Sequence, residues 1–458
     1  MKEGSLEAPT RHPIDWRNPE YCDEPKIVAE MERVFDICHG CRRCVSLCKA
    51  FPTLFDLIDE GPTGELDGVP REKFQSVVDN CYLCDMCYMV KCPYVPPHPW
   101  NVDFPHLMLR AKASEFRGGK LRAKASEFRG GKLRHPARDR ILSSTDRNGK
   151  LATIPVVVHA VNAATRSRPL RALGEKALAV DREAWVPQYA PRPFRRHPPA
   201  SAAHPVRDGE RTPGKVAIFA TCYVNYNEPG IGRDLAAILG HNAVPWVLAE
   251  KEACCGMPKL EQGDLESVAK LKEVNIPQLA KLAREGYAIL TPVPSCTLMY
   301  KQELPLMFPE DPDVRAVRDA MFDPFEYLMA RKRDGLLAQD FKRALGKVAY
   351  HVPCHTRVQK MGPRTREALE SIPGTEVLVI ERCSGHAGTY GVKAEFHDAA
   401  LAIGKPVFRQ VAEFAPDFFA SDCELAGHHI EEGLAGAKAG AVLKHPLTLL
   451  RMAYGLPD

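Results

Sequence analysis

Two runs of cysteines constrain this chain more than any other feature. The first, Cys38 to Cys48, reads CHGCRRCVSLC, and the second, Cys81 to Pro93, reads CYLCDMCYMVKCP. In each, three cysteines stand three residues apart and a fourth follows shortly after. Three thiolates at that spacing wrap one face of a small metal cluster, and the fourth reaches beyond it. A zinc ion needs four ligands and usually takes two well-separated CxxC pairs. Two runs of three evenly spaced cysteines plus a fourth fit cubane iron–sulfur clusters better. The sixteen cysteines of the chain gather at ligand spacings. A disulfide framework would scatter them, so the pattern argues for a reducing compartment.

The two runs resemble the bacterial two-cluster ferredoxin pattern, in which the fourth cysteine of each run serves the cluster of the other. The resemblance implies one 4Fe–4S cluster on Cys38, Cys41, Cys44 and Cys92. It implies a second on Cys81, Cys84, Cys87 and Cys48. Lys49 stands where that pattern has proline, and four residues separate Cys87 from Cys92 where it has three. Neither change removes a ligand. Cys22 has no spacing partner and reads as a free thiol.

With 458 residues the chain has room for two or three domains with sizeable cores. The opening MKEGSLEAPTRHPIDW lacks the apolar core of a signal peptide, and the longest apolar stretch, Ile154 to Val161, is too short to span a bilayer. The expected location is therefore cytoplasmic, with any membrane contact peripheral, at the inner face of the membrane. Residues 101–213 carry 23 Lys and Arg against 10 Asp and Glu, in a chain whose net charge is only +4. Such a basic middle suits docking to an acidic partner or an anionic membrane surface, and equally a solvated linker. No nucleic-acid recognition motif accompanies it.

Residues 1–105 are read as a ferredoxin-like unit with an N-terminal arm. A helix over Ile27 to Ile37 delivers Cys38, and the segment between Cys48 and Cys81 reads as loop-rich, with a helix over Arg71 to Asp79. Residues 106–213 are read as a basic, Arg- and Pro-rich linker ending in an extended tail. It contains a perfect twelve-residue duplication, AKASEFRGGKLR, at Ala111 to Arg122 and Ala123 to Arg134. Two copies that short do not make a solenoid, and the second is expected to loop out.

From Lys215 the texture changes to alternating strands and helices. KVAIFA, WVLAE and YAILTPV read as strands, with a helix capped by Asp264, running to Gly286 and open to a kink at Pro277, before the third. The order recurs as KVAYHV, EVLVIE and DFFASD. This implies two related α/β domains with parallel sheets, at 214–335 and 336–458. Cysteines follow the strands: Cys222, Cys254, Cys255 and Cys296 in the first copy, Cys354, Cys383 and Cys423 in the second. Ligands of open α/β sheets sit beyond the carboxyl ends of the strands, so the strand-end thiols point to cofactor ligation or redox chemistry.

ATC (to Cys222), ACCG (Ala253 to Gly256), PSCTLM, HVPCH and SDCELAG resemble the motifs of the CCG, or cysteine-rich, domain family. That family occurs in heterodisulfide reductase and in iron–sulfur subunits of anaerobic glycerol-3-phosphate, glycolate and lactate oxidation systems. The resemblance implies an α+β multidomain protein in which a two-cluster ferredoxin-like domain precedes two duplicated α/β CCG domains. The fullest family motif has five cysteines per copy. Here the first copy keeps four, enough for a third cluster on Cys222, Cys254, Cys255 and Cys296. The second keeps Cys354, Cys383 and Cys423, with Ser384 in the CCG position and His351, His355 and His386 nearby; these are a candidate second site that a serine alkoxide or a histidine could complete, and an ordinary cubane is not expected there.

No catalytic triad, flavin site or nicotinamide site is recognisable, so a flavoprotein dehydrogenase or other redox partner is implied. The expected function is an electron-transfer subunit passing electrons through its clusters to a terminal acceptor such as a quinone. The alternative is a heterodisulfide or thiol–disulfide reductase working through the CCG cysteines. An iron–sulfur sensor lacks an effector domain.

Overall fold

In the computed structural model, which describes residues 8–118, 136–435 and 440–457, six of the eight strands coincide with the six predicted runs. β1 (Val216–Ile218), β2 (Trp246–Leu248), β3 (Ala288–Leu290) and β4 (Met321–Phe322) form one sheet. β5 (Gly346–His351), β6 (Thr375–Ile380), β7 (Phe418–Ser421) and β8 (Val442–Leu443) form the other. The orders are β2-β1-β3-β4 and β6-β5-β7-β8, and every pairing is parallel. The duplication read from the sequence is thus a duplication of topology. Strands such as Val-Ala-Ile and Ala-Ile-Leu are buried along their whole length, as sheets covered on both faces require.

The two units exchange helices. The helix after β4, Pro324–Arg333, packs on Arg364–Glu370 of the second unit, and the helix after β8, Pro446–Tyr454, packs on Pro229–His241 of the first. Arg451 seals the second contact on Asp234 at 2.6 Å. One apolar core runs between them, from Ile218 and Leu235 to Tyr350 and Leu450. The helix capped by Asp264, Leu265–Arg284, forms as predicted and continues through Pro277.

The N-terminal region departs from expectation. Its described residues form helices, α1 (Glu24–Cys41), α2 (Ala50–Asp59), α3 (Phe74–Asn80) and α4 (Phe104–Gly118), and no strand. The segment read as loop-rich opens with α2, which buries Phe51, Leu54, Phe55 and Ile58 on one face. That 3.6-residue spacing was legible but masked by the Gly and Pro that follow. α4 packs on α1, so the expected boundary at 105/106 falls inside a helix of this region. The second copy of the duplication lies outside the described residues.

The segment expected to be a linker is also more than a connector. It forms α5 (Pro136–Leu142), α6 (Thr145–Ala152), α7 (Val157–Arg166) and α8 (Arg168–Leu178), and becomes extended only afterwards. Arg138 is buried, with its guanidinium on Glu395 of the second unit at 2.7 and 2.8 Å. Charge alone suited a docking face and a solvated linker equally, and the tertiary partner that buries Arg138, Glu395, is distant in sequence. The helical N-terminal region and the first α/β unit share one continuous core, which includes Cys81, Cys87, Cys254, Cys255 and Cys296.

Candidate functional site: thiol groups at the junction of three units

α1 carries Cys38 and Cys41 in its last turn and stops at Arg42, whose φ of 52° is left-handed. Arg42 is tied to Asp59 at 2.8 Å. The turn that follows returns Cys44 toward the helix end. The Cys38 thiol faces Cys92, Cys44 and Cys41, and all four line one recess with Phe51, Phe55 and Val102. Cys92 arrives by a π turn, Cys87–Lys91, closed by the Cys92 N–H on the Cys87 carbonyl at 2.8 Å. That turn absorbs the extra residue between Cys87 and Cys92.

The second group assembles around a strained loop. Leu83 and Asp85, either side of Cys84, both have left-handed backbones at φ 54° and 60°, a conformation costing a non-glycine residue on the order of 1 kcal/mol. Cys48 faces Cys84 and Cys81, and Cys87 faces Cys44 as well as Cys84, Cys81 and Cys48. The fourth cysteine of each run therefore lies with the three of the other run, and the groups meet at Cys44 and Cys87.

Burial, reinforced by neighbouring thiols, pushes Cys38, Cys48 and Cys87 well above the usual thiol range and Cys44 to about 12. Metal binding at such sites expels protons. Among the described residues, no three His, Cys, Asp or Glu side chains converge closely enough to hold a single ion. That spread does not match tetrahedral zinc, whereas four thiols around a recess are a suitable donor set for a 4Fe–4S group.

The loop is anchored by a residue that sequence reasoning missed. Arg11 reaches Asp85 at 2.6 Å, Asp103 at 2.9 Å and Glu303 of the first α/β unit at 3.4 Å, with Asp85 and Glu303 buried and Asp103 half-buried. Despite burial, His106 and Arg11 hold the Asp103 carboxyl at about 2. A lone arginine in a polar N-terminal arm gives no sequence signal of this role.

In the first α/β unit Cys222, Cys254, Cys255 and Cys296 meet beyond the strands, each thiol contacting the next. Gly256, at φ +104°, provides the left-handed turn after the cysteine pair. Asn275 accepts from the Ala253 N–H at 2.9 Å and donates to the Cys254 carbonyl at 3.1 Å, which fixes the pair. Hydrogen bonds from Cys222 and Cys255 hold the Cys254 thiol well below its usual range. Thr145 of the basic segment covers the group, its hydroxyl 3.2 Å from the Cys222 sulfur and 3.4 Å from that of Cys254. Among the described residues the buried Tyr300 hydroxyl has no hydrogen-bond partner, and Cys255, Cys296 and Cys254 lie among its neighbours. Glu252, raised by burial to about 7, is held by Arg195 at 2.6 Å.

The second unit brings together only part of the expected set. Cys354 contacts Cys383 and, across the domain junction, Cys84. The Cys383 sulfur hydrogen-bonds with the Tyr82 hydroxyl at 3.3 Å and accepts from the Gly385 N–H at 3.3 Å. Hydrogen bonds from Cys354, Tyr82 and Gly385 lower Cys383 to about 6. Cys423, raised to about 11 chiefly by burial, has Glu424 and Asp422 as its charged neighbours. Ser384 is buried. His351 is engaged at both ring nitrogens, with Ser421 at 3.0 Å and the Arg382 carbonyl at 2.9 Å. Burial drops His351 and His355 to about 4 and His386 to about 3, so all three are neutral near pH 7. Cys22 lies apart, against Arg117 at 3.6 Å.

The cysteine-rich domain (CCG) family matches twice, at residues 216–301 and 348–431. A subunit of the anaerobic glycerol-3-phosphate dehydrogenase of Escherichia coli K12 is 34% identical over 322 residues, covering 69% of this chain and 77% of that protein. A subunit of the fumarate reductase (CoM/CoB) of Methanothermobacter marburgensis is 29% identical over 252 residues, covering 54% and 48%. Lactate utilization protein A of Bacillus pumilus is 26% identical over 188 residues, covering 39% and 75%. The chain belongs to the cysteine-rich-domain (CCG) family of iron–sulfur oxidoreductase subunits.

Proposed function

We infer that this chain is the electron-transfer subunit of a larger redox complex. Cys38, Cys41, Cys44 and Cys92 would hold one 4Fe–4S cluster, and Cys81, Cys84, Cys87 and Cys48 a second, in a ferredoxin-like arrangement. Cys222, Cys254, Cys255 and Cys296 would hold a third. Such clusters supply one-electron transfer when bound. The observation that carries the reading is contiguity: Cys44 of the first group faces Cys87 of the second, and Cys84 of the second touches Cys354 of the second unit.

The chain's own residues prepare these sites. The apolar walls exclude water, the Arg11 network holds the Cys84 loop, and Thr145 and Asn275 orient the thiols of the first unit. The chain shows no flavin or nicotinamide motif, so a flavoprotein partner would oxidise the organic substrate, and a quinone would be the terminal acceptor. Among the described residues no helix is long and apolar enough to cross a membrane. The basic segment does expose Leu151, Ile154, Val156, Leu170 and Leu173, which suits docking to a partner or to an anionic membrane surface at the inner face of the membrane.

The direct test is Cys87→Ser in anaerobically purified protein. A loss of about four irons per chain is expected, one cluster's worth. Unchanged iron would remove Cys87 from the ligand set and sink the assignment.

A further inference from the structure

In the second α/β unit Ser384 stands where the first has Cys255, and the charged neighbours of Cys423 are Glu424 and Asp422. Two of its thiols, Cys354 and Cys383, contact each other. Cys354 and Cys383 each lie three residues beyond partnered positions of adjacent parallel strands, His351 and Ile380. Neighbouring strands are about 4.8 Å apart, and disulfides bridge Cα atoms separated by about 4.4–6.8 Å. The two thiols touch. Both are partly exposed, whereas Cys254, Cys255 and Cys296 are buried. The Cys383 sulfur takes hydrogen bonds from Gly385 and with Tyr82 at 3.3 Å. Tyr82, Tyr390 and Phe396 form one apolar cluster with Cys48, Cys84 and Cys383.

We propose that Cys354 and Cys383 are a redox-active dithiol–disulfide pair placed against Cys84. The inference rests on the electron-transfer reading. In reduction the Cys354–Cys383 S–S bond breaks, and the two sulfurs take up two electrons, delivered singly from the cysteine-bound iron–sulfur groups, with two protons from solvent. In oxidation the S–S bond re-forms, and both electrons and both protons pass to a two-electron acceptor of the quinone class, giving the hydroquinone. The pair thereby matches one-electron carriers to a two-electron acceptor.

The test uses the full chain with its iron, purified anaerobically. One sample is treated with a water-soluble quinone and one with dithionite. Both are alkylated under denaturing conditions and mapped by mass spectrometry. Peptides cross-linked through Cys354 and Cys383 are expected after quinone, and both residues alkylated after dithionite. Cys383→Ser should abolish the cross-link and leave the iron content unchanged. Both thiols alkylated in both samples would overturn the proposal. So would a loss of about four irons in Cys383→Ser, which would make Cys383 a cluster ligand. Because dithionite is a chemical reductant, the disulfide result does not depend on Cys87→Ser, and failure of either reading is seen separately.

Discussion

The two α/β units share a strand order and differ in what occupies the strand ends. The first gathers four mutually contacting thiols under Thr145. The second gathers two, keeps Ser384, and leans them on a cysteine of the N-terminal region. What both retain is the glycine: Gly256 and Gly385 are left-handed at φ +104° and +87°. A fold can keep the turn that presents a ligand while giving up the ligand, because backbone conformation and donor chemistry are separate demands on the sequence. The second unit has fewer thiols at its own strand ends and takes a neighbour, Cys84, from the helical N-terminal region.

The largest difference should appear in iron. Cys255→Ser is expected to lose about four irons from the first unit, whereas Ser384→Cys should gain none, because Cys354 and Cys383 serve as a dithiol pair. Iron gained by Ser384→Cys would make the two units equivalent after all.

Next comes the anchor that joins the N-terminal region to the first unit. Arg11→Ala leaves buried Asp85 without its cation, and Asp103 and Glu303 with only His106, and should destabilise by about 3–5 kcal/mol, measured by chemical denaturation. The Asp103 contribution has a definite sign. Its folded pKa, about 2, lies below the ordinary carboxylate value of roughly 3.9, so its stabilisation is complete above that value and is lost as pH falls toward 2. Wild type should show that acid limb, and Arg11→Ala should show a weaker one.

The retained glycines should not be equally tolerant. A Cβ at Gly385 would lie 1.9 Å from the Ala400 carbonyl oxygen, whereas at Gly256 the nearest atom is a Val268 methyl at 3.4 Å. Gly385→Ala should therefore cost about 3 kcal/mol or more and Gly256→Ala about 1 kcal/mol, backbone strain being common to both. Equal losses in thermal unfolding would mean that the turn alone matters. The smallest effect is at Thr145. Thr145→Val removes two hydrogen bonds to sulfur, leaves iron content unchanged and should shift the potential of the first unit's group only. An unchanged redox titration would reduce Thr145 to a space filler.

Much of this was legible in the sequence. Runs such as VAI, AIL and VAYH announced parallel, fully buried strands, and their repetition announced two units. The grouping of Cys48 with the second run and Cys92 with the first comes from a resemblance, not from spacing; in the fold Cys92 neighbours Cys38, and Cys48 neighbours Cys81 and Cys84, and iron content is what tests each ligand set. The rest depended on contacts between residues far apart in the chain. Tyr82 reads only as a residue between two cysteines, yet it meets Cys383, 301 positions away. Arg138 sits in a basic stretch whose composition suggests solvent, yet Glu395 buries it. The π turn at Cys87–Lys91 shows how local geometry can absorb an irregular spacing that motif matching counts as a defect.

The most direct measurement is iron and acid-labile sulfide per chain in anaerobically purified protein, read with EPR of the dithionite-reduced sample. About twelve irons are expected, with a signal beyond those of two coupled ferredoxin-type clusters. About eight, with only the coupled signals, would leave the first unit's four thiols without a cluster and contradict the distinction between the two units.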